Sequence, residues 1–251
     1  MGNLDGKRVL VAGASRGIGL AIATAIAAEG AKVILAARSV EALDAAAAKL
    51  NGEAVALDVT DDASIEKAAK AAGEIDVLVN VAGMNIRKPF EDFTRDEIEK
   101  ILDTNLVGLM RLTQIVGREM IARKKGGKIV NIGSLTSLIG LPYVSIYGAS
   151  KGAIAQWTRC LAAEWGRYDI QVNCIAPGFI ITDLNREMWQ SVELQNWLKA
   201  NQPNPRVGTP EDVSGLAVFL SSKQADYITG QVIVVDGGHT ESIMWPYVPG
   251  K

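Results

Sequence analysis

Seven short runs rich in β-branched residues, at 8–12, 32–36, 54–58, 75–80, 128–132, 170–175 and 232–235, are separated by stretches with helical periodicity, many of them Ala-rich. Strands joined through helices pair in parallel, because a tight hairpin cannot return the chain in the same direction. The runs are almost continuously apolar, as strands covered on both faces must be. Helices are expected at 17–29, 39–49, 61–72, 94–122, 147–167 and near 210–221. The pattern predicts an α/β architecture: a doubly wound sheet of about seven parallel strands with helices on both faces. No composition shift, Gly/Ser linker or internal repeat divides the chain, so residues 1–251 read as a single domain. The segment 178–208 is too long for a plain connection and is expected to be a substrate lid. The tail from about 240 to 251, with Ile243, Met244, Trp245, Pro246, Tyr247, Val248 and Pro249, is apolar and is expected to pack on something.

Composition removes several function classes. Lys and Arg number 26 against 28 Asp and Glu, a net charge of -2, which gives no electrostatic basis for nucleic-acid or membrane-surface binding. The two cysteines, Cys160 and Cys174, fall in a predicted helix and strand and read as reduced, buried thiols of a cytoplasmic protein. His239 is the one histidine, so no Cys/His metal spacing can be assembled and no metal site is expected. No run approaches 18 apolar residues, and the chain reads as soluble and without a targeting segment.

The first strand runs into Ala12, Gly13, Ala14, Ser15, Arg16, Gly17, Ile18 and Gly19, followed by a helix. Glycines there let backbone amides approach a pyrophosphate, and the helix N-terminus turns about half a positive charge toward it. The spacing is G-x-x-x-G-x-G, which differs from the generic dinucleotide fingerprint and is equally compatible with a structural turn. The same residues also satisfy G-x-S-x-G, with Ser15 as nucleophile and His239 downstream, as in an α/β-hydrolase. That rival requires strands before the elbow, and this is the first strand of the chain.

An acid at the end of the second strand would select NAD. Ala36, Ala37 and Arg38 stand there instead, and Arg38 with Arg16 offers charge to a 2′-phosphate, so NADP(H) is the expected cofactor. Tyr147 and Lys151 lie four residues apart near a helix start and share a face, with Ser134 after the preceding strand. A phenol is a poor base at neutral pH unless a neighbouring ammonium stabilises its anion, which Lys151 can do from that position. A serine hydroxyl can donate to a carbonyl or alkoxide and hold its carbon for hydride exchange.

Singly, these residues are an ordinary loop serine, half-buried tyrosine and surface lysine. Taken with the glycine loop, with Asn80, Val81, Ala82 and Gly83 after the fourth strand, with Asn105 in the long helix, and with Pro177 and Gly178 after the sixth, they resemble the short-chain dehydrogenase/reductase family across essentially the whole chain. The resemblance implies a Rossmann-type fold and these roles: Tyr147 as acid/base, Lys151 binding the nicotinamide ribose and lowering the tyrosine pKa, Ser134 orienting substrate, and Asn105 ordering a proton-relay water. It further implies that Asp58 and Val59 contact adenine, that Asn80, Ala82 and Gly83 form the cofactor-side turn, and that Ile180 and Thr182 contact the nicotinamide amide. Two positions depart from the family pattern: Ala12 stands where Thr is usual, and Val81 where Asn or Ala is usual. The family commonly forms homotetramers, here through the helices at 94–122 and 147–167 and the last strand.

Within the family, the stretches 84–90 and 219–227 look like those of gluconate 5-dehydrogenase and its sugar-acid relatives. This implies reversible interconversion of a ketone and a secondary alcohol on a sugar acid. Arg87, beyond the cofactor turn, is then a candidate partner for the substrate carboxylate, at the far end of the cleft from Ser134 and Tyr147. A 3-oxoacyl-carrier-protein reductase or a broad carbonyl reductase shares every catalytic motif and remains the alternative.

Overall fold

The computed structural model describes residues 2–183 and 185–246. Its strands are β1 (Arg8–Ala12), β2 (Lys32–Ala37), β3 (Glu53–Ala56), β4 (Val77–Asn80), β5 (Gly127–Ile132), β6 (Ile170–Pro177) and β7 (Val232–Val235). They form one sheet in the order β3-β2-β1-β4-β5-β6-β7, with every neighbouring pair parallel. From β1 the chain winds outward one way to β3, then returns to β4 and winds the other way. The loops after β1 and β4 therefore diverge and open a crevice at the C-terminal ends of the strands.

Side chains alternate between two apolar layers. Val9, Val11, Val33 and Leu35 pack under α1 (Gly17–Ala28), α2 (Val40–Lys49) and α8 (Pro210–Ser221). Leu10, Ile34, Leu78 and Ile129 pack under α3 (Asp62–Ala72), α5 (Gly108–Arg123) and α6 (Ser145–Trp165). Burial on both faces accounts for the continuous apolar runs.

The helix expected at 94–122 is interrupted. It comprises α4 (Arg95–Leu102), a π-turn (Asp103–Val107) and α5. A capping box between Thr94 and Glu97 starts it. Gly108 follows the π-turn where a Cβ would overlap the Val59 carbonyl, so the helix lies directly against the turn after β3. The expected strand at 54–58 begins at Glu53 and stops at Ala56, because the Ser64 hydroxyl takes the Asp58 amide (2.9 Å) and the Asp58 carboxylate binds the Thr60 amide (2.9 Å). β4 starts two residues later than expected, and β6 runs on to Pro177, opposite Val235. In 178–208 an unforeseen helix, α7 (Val192–Asn201), is capped by the Ser191 hydroxyl.

Cys160 is exposed on α6, contrary to the expectation of two buried thiols; Cys174 is buried in β6. Among the described residues no helix is long and apolar enough to cross a membrane, and no group of three or more His, Cys, Asp and Glu is placed to hold a metal. In the tail, Ile243 is 91% and Trp245 76% exposed, so the described residues do not cover them. Tyr247, Val248 and Pro249 lie outside the described residues.

Candidate active site

A cleft of about 2070 Å³ opens at the crevice, lined on one side by Gly13, Ser15, Arg16, Gly17, Ile18 and Gly19. Gly13 has φ +99°, and a Cβ there would meet the Ala82 nitrogen at 2.6 Å. A Cβ at Gly19 would overlap the Gly13 carbonyl, so this loop can close only with glycine at both positions. Ala12 lacks the hydroxyl that the family pattern places there, and the backbone supplies the brace instead. Gly13 and Ala14 amides donate to Ala36 O (2.7 and 3.1 Å), and Val81 and Ala82 amides to Ala12 O (2.9 and 2.8 Å).

At the start of α1 no side chain caps the helix, and the amides of Gly17, Ile18 and Gly19 have no partner among the described residues. Unsatisfied amides at a helix N-terminus without a first-turn acid fit a pyrophosphate. Arg16 and Arg38 are exposed, line the same cleft, and have no ion-pair partner among the described residues. Asp58 and Val59 lie beside them, the Asp58 carboxyl held below its usual range by hydrogen bonds from Thr60, with a smaller pull from the Arg38 charge. Ala82, Gly83, Pro177, Gly178, Ile180 and Thr182 complete this wall, with the Thr182 methyl 3.4 Å from where a Gly17 Cβ would stand. The set fits a nicotinamide dinucleotide.

Asn80 does not line the cleft, contrary to the expectation that it belongs to the cofactor turn. Its side chain points into the core, where Nδ2 donates to Thr113 Oγ1 (2.8 Å) and Asn131 Oδ1 (2.8 Å). Asn131 in turn donates to Thr158 Oγ1 on α6 (2.9 Å). Asn80 thus helps tie β4 and β5 to the helix that carries Tyr147 and Lys151.

Ser134, Tyr147 and Lys151 meet in the cleft. Ser134 Oγ accepts from the Thr136 amide (3.1 Å), which leaves its hydrogen free to donate. Lys151 is buried, and its Nζ donates to Ile132 O at the end of β5 (2.8 Å) and lies 5.8 Å from the centre of the Tyr147 ring. Burial pushes the Lys151 ammonium down to about 8. Burial also holds the Tyr147 phenol above its ordinary value, with Ser134 and the Arg87 charge pulling the other way.

Asn105 sits in the π-turn, fully buried. Its Oδ1 accepts from the Met84 amide (2.7 Å), and its Nδ2 donates to Met84 O (2.9 Å) and Ser150 Oγ (3.1 Å). Both amide hydrogens are used, so a relay water at Asn105 would have to bind its backbone. The side chain is a strut that fixes the loop carrying Arg87. Arg87 itself is exposed, lines the cleft and has no ion-pair partner among the described residues, whereas neighbouring Lys88 pairs with Glu97. It shares the cleft with Tyr147, and its charge is the smallest of the influences on the Tyr147 phenol.

Residues that the motifs did not point to also line the site. Asn85 and Thr136 each bury an oxygen without a partner among the described residues, and Phe179, Met188, Trp189 and Trp197 form an apolar wall. Thr136 stands two positions after Ser134, Asn85 lies in the 84–90 stretch, and Phe179, Met188, Trp189 and Trp197 fall in the segment expected to be a substrate lid. His239 lies against Phe179 (ring centres 5.0 Å apart), outside the cleft lining, and is not paired with Ser15.

Residues 13–240 match the family model described as enoyl-(acyl carrier protein) reductase. Gluconate 5-dehydrogenase of Gluconobacter oxydans is 41% identical over 250 residues, covering 96% of this chain and 97% of that protein. The 5-keto-D-gluconate 5-reductase of Escherichia coli K12 is 38% identical, over 94% of this chain and 96% of its own. A crystal structure of a gluconate 5-dehydrogenase from Burkholderia cenocepacia in complex with NADP and tartrate superposes with a TM-score of 0.92 at 36% identity, covering 96% of this chain and 97% of that one.

Proposed function

The chain belongs to the short-chain dehydrogenase/reductase family of oxidoreductases, and from that membership we propose that it reversibly interconverts a keto-sugar acid and the corresponding hydroxy acid, of the gluconate/5-keto-gluconate type, with NADP(H). The observation that carries the substrate class is Arg87: an exposed guanidinium in the cleft it shares with Ser134 and Tyr147, without an ion-pair partner among the described residues. Tartrate, bound to the Burkholderia relative, is itself a hydroxy acid.

Gly13, Ser15, Gly17, Ile18 and Gly19 would hold the pyrophosphate, Arg16 and Arg38 the 2′-phosphate, and Lys151 the nicotinamide ribose. When bound, the nicotinamide supplies or accepts the hydride at the reacting carbon. Ser134 donates its free hydrogen to the substrate oxygen and fixes the carbon's position. Tyr147 gives that oxygen a proton in the direction of reduction and removes one in the direction of oxidation. Arg87 takes the carboxylate as a charge-assisted pair.

The protein is further proposed to be a cytoplasmic homotetramer, with exposed Ile243 and Trp245 available for association; light scattering checks the mass. The Ser134, Tyr147 and Lys151 set would serve a 3-oxoacyl-carrier-protein reductase equally, so acetoacetyl thioesters are the second substrate class. Steady-state assays with NADPH and NADH against 5-keto-D-gluconate, an acetoacetyl thioester and a simple ketone separate the readings. The highest kcat/KM is expected for 5-keto-D-gluconate with NADPH. A higher value for the thioester or the simple ketone would overturn the sugar-acid reading.

A further inference from the structure

Trp197 is left in the open where its neighbours are not. It lines the cleft together with Ser134, Tyr147 and Arg87 and is 40% exposed, while the next residue of α7, Leu198, and the other tryptophan of the segment, Trp189, are 2% and 4% exposed. Leu198 and Trp189 anchor the segment to the body; Trp197 adds nothing comparable to that anchoring. Its ring is nonetheless held in place. Phe179 meets it edge-on with centres 5.6 Å apart and planes at 81°, and His239 lies 5.5 Å away at 54°. Phe179 is fixed in turn by Trp189, 5.4 Å away at 69°. An indole with only two side-chain torsions, braced on two sides and otherwise open to the cleft, presents a rigid apolar surface that loses little entropy on contact.

We propose that Trp197 is a specificity-determining residue: its indole packs against the C–H face of the substrate's carbon chain and so selects six-carbon over three-carbon ketones. The inference rests on the reading of the cleft as a ketone-reducing site, and adds to it a demand for chain length that is independent of the carboxylate. Arg87 recognises charge; Trp197 recognises apolar surface on the chain, present in a neutral ketose as well.

The test is NADPH-linked reduction of 5-keto-D-gluconate, L-sorbose and dihydroxyacetone by wild type, Trp197→Ala and Trp197→Phe, with NADPH affinity from fluorescence titration as the control for an intact site. Trp197→Ala should raise KM for both six-carbon substrates by about tenfold while kcat stays within about threefold, because the lost contact is made equally in ground and transition states. Dihydroxyacetone kinetics and NADPH affinity should be unchanged, and Trp197→Phe should recover most of the loss. Unchanged KM for the six-carbon substrates, equal losses on all three, or a wild type that favours neither six-carbon ketone over dihydroxyacetone would overturn the proposal. If Trp197→Ala loses NADPH affinity, the Phe variant decides: a six-carbon KM as poor as that of Ala, with NADPH affinity retained, counts against the ring. A wild type that reduces L-sorbose but not 5-keto-D-gluconate would overturn the sugar-acid reading alone, and Trp197 is then judged on L-sorbose.

Discussion

The loops after β1 and β4 leave adjacent strands on either side of the same crevice, yet the first is held by backbone and the second by backbone and side chains together. The glycine loop is braced by two of its own amides on Ala36 O, and its shape depends on the absence of Cβ atoms at Gly13 and Gly19; the loop after β4 rests on backbone through the Val81 and Ala82 amides on Ala12 O and the Lys88 amide on Tyr143 O. The loop that carries Arg87 is clamped at Met84 by the side chain of Asn105, 21 positions away, and at Lys88 by Glu97 and a contact over the Phe93 ring. A loop whose shape the backbone sets suits what every such cofactor would offer it, its phosphates, whereas a loop that side chains also clamp can be retuned by distant substitutions. The cofactor half is therefore built for constancy and the substrate half for choice.

The largest effect should come from the group that both halves serve. Tyr147→Phe should lower kcat by at least about a hundredfold, the usual contribution of a general acid, while NADPH affinity stays near wild type. Retained turnover would place the proton donor elsewhere. On the cofactor side, Ala37→Asp combined with Arg38→Ala should shift the NADPH/NADH ratio of kcat/KM toward NADH by roughly ten- to a hundredfold, the worth of a charge-assisted hydrogen bond. An unchanged ratio would mean that the rim of β2 does not read the 2′-phosphate.

A smaller effect concerns stability. Lys151 titrates near 8 in the fold against about 10.5 for the free side chain. Below pH 8 it is charged in both folded and unfolded states, and the cost of burying that charge is fully present, roughly 3 kcal/mol for the full shift. As pH rises from 8 to 10.5 the folded state sheds the proton first and the cost is relieved. Without bound nucleotide, Lys151→Met should therefore gain most in Tm relative to wild type near pH 7, by several degrees, and the gain should vanish toward pH 10.5. A Tm difference independent of pH would show that the ammonium carries no burial cost.

What the sequence could and could not reveal follows the same division. The β-branched runs and glycine spacing are local signals, and they located all seven strands and the glycine turn that lines the cleft. The Ser134, Tyr147 and Lys151 set was legible because a helix repeat and a strand end fix their spacing. Asn80 was misplaced because its position at a strand end says nothing of which way its side chain turns, and a buried ladder with Asn131 and Thr113 claimed it. The π-turn at Asn105 escaped because an apolar period near 3.6 continues across it, and the bonds to Met84 and Ser150 that employ Asn105 are non-local. α7 went unrecognised inside the expected lid because its one deeply buried residue, Leu198, leaves no apolar stripe. The open face of Trp197 depends on the packing of Phe179 and His239 and has no local signature.

Arg87 offers the most direct test of the account. In NADPH-linked reduction, kcat/KM of wild type and Arg87→Ala should be compared on 5-keto-D-gluconate and on L-sorbose. The loss on the acid should be about ten- to a hundredfold, as expected for one charge-assisted pair, with little change on the neutral ketose. Equal losses on both substrates, or none on the acid, would remove the carboxylate from Arg87 and with it the reading of this enzyme as a sugar-acid reductase.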